Sequence, residues 1–431
     1  MKPEIGRPES LPPGVRRAVY AVFCWTNRNP RFWRLLGWVL RRWPVLSHLV
    51  PFAARRSAVQ QVLTRPRSFS STSHTPNLIA GDYLIGMDPG PRYDADRQLF
   101  DAVLSQVRPT LRQAADVEAA ARIAGLAGVA RHDSFDLIED YLAWVVYAGI
   151  QPAFADAAGD IVGGARNARP DEETTRNYLR EIKYVAGHLF AGRLAPLEVR
   201  QRAEVGAASL KARAHKGLGR LAAAWPGASG IGRNALLRNT VGLAWVSHPV
   251  TAQSGALAFQ ELLGRPGVYA ELRDQAGQLG ASVWTDAGFR REVRLHVLEL
   301  MRFRPIFPLL ARDVPRATEF ESGARTNPKC PAGGSLTVLS IAASFDTHRM
   351  ADADRFCPHR RWGSEADMQY MMFGYGDRRC PAREEAVDMI TSAFVGLLTL
   401  PELTWADRWG ARIRYDGPLI SRMRLRTLRR A

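Results

Sequence analysis

The sequence predicts a mainly α-helical domain, and three observations carry that prediction. A long apolar helical run extends over about residues 234–263. A second helical run, Phe289 to Phe303, places Glu299 and Arg302 three residues apart and so on one face. A third, Ala382 to Leu400, follows directly on a glycine-rich loop that ends in Cys380-Pro381. No Pro/Gly/Ser linker or low-complexity tract divides the 431 residues. They read as one large domain, 55–431, with a basic aromatic segment, 1–54, packed on or beside it.

From the start of the chain, Arg31 to Phe52 alternates Phe32, Trp33, Leu35, Leu36, Trp38 and Trp43 with Arg31, Arg34, Arg41 and Arg42. Such a helix suits a membrane surface, the mouth of a substrate channel, or a plain surface helix whose arginines snorkel over apolar stems. Gly86 to Arg97 is a Met-Asp-Pro turn leading into a helix that carries Tyr93 and Arg97.

The 234–263 helix has an anomaly at its centre, Val246-Ser247-His248-Pro249-Val250-Thr251. Proline there removes an N–H and meets the carbonyl of Trp245, costing roughly 3 kcal/mol unless the site benefits. His248 has an unperturbed pKa suited to proton transfer near neutrality. After Arg302, the run Pro305 to Arg312 reads as an apolar turn and strand that ends in an arginine.

In Phe373-Gly374-Tyr375-Gly376-Asp377-Arg378-Arg379-Cys380-Pro381 the glycines permit a tight turn, and Pro381 suits the first turn of a helix. Cys380 then stands at the positive end of that helix beside Arg378 and Arg379, which favours a thiolate.

The four cysteines form no Cys-x-x-Cys pair and no zinc-like spacing, and a reducing cytoplasm is the expected home. No signal peptide or long uncharged apolar run is present, so a soluble chain with at most peripheral membrane contact is expected. The net charge of +17 suits an acidic partner, an anionic lipid or an anionic substrate. Arginines are spread along the whole chain with no reader motif, which argues against nucleic acid.

The loop Phe373-Gly374-x-Gly376-x-Arg378-x-Cys380-Pro381 resembles the haem-binding loop of the cytochrome P450 family, with Ala382 where that family usually has glycine. The resemblance spans about residues 55–425 and implies a mainly α fold with small β-sheets and a haem b cofactor, with Cys380 as axial thiolate to its iron. It also implies that substrate choice lies in loops, here roughly Thr64 to Ile85 and Ala168 to Leu194. It implies a loop-holding triad of Glu299, Arg302 and Arg360, the last in Phe356-Cys357-Pro358-His359-Arg360. It also implies propionate anchors at Tyr93, Arg97, Arg312 and Arg378. In such a protein the 234–263 helix crosses the face opposite the cysteine, where Trp245, Pro249, Val250 and Ile306 line the substrate pocket. An acid-threonine pair usually delivers protons there. Here Pro249 and Val250 take those places, and Thr251 is about 100° out of phase. His248-Pro249 is similar to the Arg-Pro of fatty-acid peroxygenases, which makes His248 and Thr251 the catalytic candidates.

The implied activity is oxidation of a small apolar or amphipathic molecule, driven either by peroxide or hydroperoxide, or by electrons from an acidic ferredoxin or flavodoxin docking near Arg378, Arg379 and Arg383. A non-catalytic haem- or ligand-binding protein is the reading of another class.

Overall fold

The computed structural model describes residues 12–49, 51–72, 78–129, 134–164, 170–360, 371–408 and 412–428. It opens with α1 (Pro13–Arg28) and α2 (Pro30–Arg42), parted at Asn29 because Pro30 cannot donate an N–H to continue the first helix. α1 was not among the helices expected from the sequence. α2 is shorter than the helix expected over residues 31–52: Pro44 stops it, and a short 3-10 turn, Pro44–His48, follows. Gly37 sets how α2 docks, since a Cβ there would fall 2.3 Å from the Cβ of Ala342.

The chain continues through β1 (Phe52–Ala53), α3 (Arg56–Thr64), α4 (Pro91–Val129), β2 (Phe135–Asp136), α5 (Ala143–Phe154), α6 (Ala158–Val162), α7 (Glu172–Ala191) and α8 (Leu197–Ala224). Of the two loop segments expected to shape substrate choice, residues 73–77 and 168–169 lie outside the described residues. The rest of the second is helical, because Asp171 caps α7 by accepting from the Thr174 N–H.

The central helix α9 (Arg233–Leu263) is apolar on nearly every side, and α5, α7, α8, α11 (Ala287–Phe303) and α13 (Arg383–Thr399) pack around it. It runs straight through Pro249, which leaves the Trp245 carbonyl without its helical donor. On either side of the break, the Ser247 hydroxyl donates to the Leu243 carbonyl and the Ser254 hydroxyl to that of Val250. Between α9 and α11 lies α10 (Pro266–Leu279).

Three small sheets complete the molecule. β3 (Leu310–Val314) and β6 (Gly334–Val338) pair antiparallel with Arg312 opposite Leu336, and β1 joins β6 in parallel. β4 (Thr318–Glu319) and β5 (Lys329–Cys330) form a hairpin between them. After α12 (Ser340–Ala343) and α13, β7 (Leu403–Trp405) and β8 (Ile413–Asp416) both pair with β9 (Leu419–Thr427), which also takes β2. Mainly α with small sheets is therefore the observed class.

Candidate active site

The loop ahead of α13 is closed by its own backbone. The Cys380 N–H donates to the Phe373 carbonyl at 2.7 Å, Gly374 N–H to Met371, and Arg379 N–H to Gly376. Gly374 and Gly376 have φ of +79° and +67°, the left-handed region that side chains avoid. Ala382 is the residue before α13, and its N–H points at the Cys380 sulfur.

The thiol is not the low-pKa group that the helix end and the arginines suggested. Burial raises its pKa to about 11, against smaller lowering effects from the Ala382 N–H and the charge of Arg97. Yet Cys380 remains partly open to solvent.

A buried knot of charged side chains lies on α11. The Arg302 guanidinium meets Glu299 at 2.6 and 2.9 Å, and it donates to the carbonyls of Ser344, Ala353 and Arg355. Arg360 approaches the same carboxylate at 3.7 Å and donates to the carbonyls of Ala351, Asp352 and Arg355. Glu299 in turn accepts from the Cys357 N–H. The three residues thus form one buried knot that fixes the 351–360 meander to α11.

The expected anchors differ in how free they are. Arg97 is shared between Asp101 and the carbonyls of Asp377 and Arg379, and the Tyr93 hydroxyl also donates to Asp377. Both therefore grip the cysteine loop itself. Arg378 is paired with Asp88 at 2.8 Å, and Asp88 further accepts from Ser70 and the Ser71 N–H. Arg312 is different. It is 6% exposed and, among the described residues, has no carboxylate in hydrogen-bond contact and no partner for its Nε. Burial and the nearby charge of Arg378 pull its pKa down to about 9, against a smaller opposing effect of Asp88.

On α9, Val246, Ser247 and Val250 stay partly exposed although the helix around them is buried. Their spacing puts them on one open stripe. His248 lies on another side: its Nε2 is 2.7 Å from the Ala143 carbonyl of α5, and burial lowers its pKa to about 4. A neutral imidazole donating to α5 is a packing group, so the acid-base role expected of His248 has no support in this geometry. Thr251, Trp245 and Pro249 are buried as well, while Ile306 is half-buried in the turn after α11.

Two residues that sequence reasoning passed over stand beside this site. The Tyr83 ring lies against Gly242, where a Cβ would come within 2.0 Å of it. The ring packs on Phe100 and Trp245. Tyr83 is therefore wedged between α4 and α9. A cavity of about 320 Å³ opens at its side, lined by Asp82, Met87, Asp88 and Tyr93 among others. The one sequence signal was Gly242 itself, a glycine inside a helix that must admit something close. The other residue is Ser247, the hydroxyl on the open stripe.

No family model matches the chain. It is 29% identical over 114 residues to cytochrome P450 monooxygenase astF of Aspergillus oryzae, and 29% over 122 residues to cytochrome P450 monooxygenase FrzL of a Cladobotryum species. Those matches cover 26% and 28% of the chain but only 20% and 23% of the two relatives, so the chain spans about a fifth of their length. Solved structures match nearly end to end. Cytochrome P450 Eryk of S. erythraea aligns with a TM-score of 0.63 at 18% identity, covering 90% of this chain and 95% of that one. CYP109E1 of Bacillus megaterium in complex with corticosterone aligns at 0.65 and 15%, covering 93% and 99%. P450BioI in complex with an acyl carrier protein bearing a hexadecenoic acid aligns at 0.65 and 15%, covering 88% and 92%. The fold of this chain is the cytochrome P450 fold.

Proposed function

We propose that the chain is a haem-thiolate oxidase acting on a small apolar or amphipathic molecule. The observation that carries this reading is the placement of Cys380 at the end of a glycine-shaped loop directly ahead of α13, with the Ala382 N–H aimed at its sulfur. The residues present fit haem b. Cys380 offers the single sulfur ligand, and Arg312, a buried cation without a carboxylate, suits a propionate, with Arg97, Arg378 and Tyr93 on the same side of the loop. Bound there through a thiolate, the group supplies oxygen-transfer chemistry.

The chain's own part is binding, shielding and proton supply. The open stripe of Val246, Ser247 and Val250 offers an apolar wall with one hydroxyl, and Tyr83 closes its edge. His248 is turned to the Ala143 carbonyl of α5 and desolvation favours its neutral form, which argues for packing over proton transfer. Pro249 and Val250 provide neither acid nor alcohol, which favours peroxide or a hydroperoxide as oxidant. The reductase-fed alternative draws on the basic cysteine face, but Arg378 is paired with Asp88 and Arg383 with Glu384. All four cysteines are free, as suits a cytoplasmic protein.

The test is the carbon monoxide spectrum of the reduced, haem-loaded protein, followed by product analysis with peroxide or with a surrogate reductase. A Soret band shifted far to the red, lost in Cys380→Ser, supports the ligand assignment; an unshifted band overturns it. Product formed with peroxide alone supports the favoured oxidant, product only with the reductase the alternative. No product under either condition leaves a non-catalytic haem-binding protein.

A further inference from the structure

Helices α1 and α2 are turned partly inside out. Ten of the fourteen large hydrophobic side chains exposed among the described residues lie between Val15 and Leu49. Trp25, Leu35, Trp38 and Trp43 are 48–61% exposed. Arginines of the same helices point inward instead. Arg28 donates to the Gly417 carbonyl and lies over the Tyr415 ring. Arg34 stacks on Phe345 at 3.9 Å, and Arg41 donates to the carbonyls of Ala342 and Phe345. These contacts, with the Gly37 to Ala342 approach, fix the helices rigidly to the body, so their outer face is preformed.

The exposed side chains make one continuous surface. Trp25 of α1 meets Phe32 of α2 edge to face at 5.9 Å, and Trp38 meets Trp43 at 5.9 Å. On α2, exposed Arg31, Leu35, Trp38 and Arg42 fall on a single stripe, with a cation at each end. From Ser10 to Gly81 the sequence holds eleven arginines and no Asp or Glu. No helix among the described residues is long and apolar enough to cross a membrane.

We infer that this face docks on the surface of an anionic lipid bilayer, with the indoles at headgroup depth and the arginines against the lipid phosphates. A second copy of the chain fits less well, because a two-fold contact would bring the same acid-free surface against itself. Neutral apolar ligands would then reach the protein from the membrane instead of from water.

The experiment is co-sedimentation of the full chain with vesicles of phosphatidylcholine alone and with about a third of the lipid replaced by phosphatidylglycerol. Brominated lipids in the same vesicles report tryptophan depth. The expected result is binding to the anionic vesicles that falls with salt, with tryptophan quenching by the bromines. Changing Trp25, Leu35, Trp38 and Trp43 together to Ala abolishes both, while Arg31→Gln with Arg42→Gln weakens partitioning on the order of tenfold. All six side chains are exposed, so the variants keep the wild-type melting temperature, which is checked alongside. Equal binding by wild type and the fourfold variant overturns the inference. So does the absence of vesicle binding, including the case in which the wild type instead self-associates through these residues.

Discussion

Glu299 and Arg302 form a two-point ion pair one helical turn apart, with neither side chain more than 1% exposed. Every remaining donor direction of Arg302 is aimed at a meander carbonyl, so the pair is a clamp between α11 and the 344–355 chain.

Glu299→Gln therefore leaves a buried guanidinium short of its counter-charge, at a cost of about 3–5 kcal/mol. Arg302→Lys keeps the charge but loses the planar fork, and falls in the same direction. Urea unfolding midpoints measure the loss, and haem retention on a desalting column shows whether the cysteine loop loosens with it.

Gly242 and Tyr83 interlock, which predicts a non-additive pair. Gly242→Ala forces a methyl into the Tyr83 ring and destabilises by about 1–3 kcal/mol. In a Tyr83→Ala background the same change costs little or nothing. A double-mutant cycle by thermal or urea unfolding gives the coupling, and simple additivity would remove the interlock.

Arg312 predicts opposite signs for stability and cofactor binding. Arg312→Met removes a buried charge without a carboxylate and stabilises the haem-free protein by about 1–3 kcal/mol. Haem affinity drops in the same variant. Parallel melting curves with and without haem test the pair of signs.

His248 predicts a pH dependence. Its pKa is about 4 in the fold and near 6.5 when unfolded, so between those values the unfolded chain binds the extra proton. Its contribution to stability is complete above pH of about 6.5 and is lost on acidification, reaching roughly 3 kcal/mol by pH of about 4. His248→Gln flattens that part of the stability profile and leaves the neutral-pH dependence of turnover unmoved.

Much of the cysteine side was legible because its chemistry is local. Gly374, Gly376, Cys380 and Pro381 sit within one loop, and Glu299 and Arg302 within one helical turn, so spacing alone sets their geometry. Arg360 needed only a short meander. The opposite side was less legible. The identity of Pro249 could be read, but the direction of His248 depends on α5, more than a hundred residues away in sequence. Tyr83 comes from a loop without period or motif.

The sequence by itself determined the helical class, the thiol loop and the Glu299–Arg302 pair on α11, because periodicity, glycine freedom and short spacing act over a few residues. Only the tertiary structure decided which polar groups are consumed and which stay free. Cys380 has a raised pKa because the interior desolvates it, whatever the helix end contributes. Arg97 and Arg378 are taken up by Asp101, Asp88 and loop carbonyls, while Arg312 makes no ion pair among the described residues. Desolvation and long-range pairing are properties of the packed chain, and no window of sequence contains them.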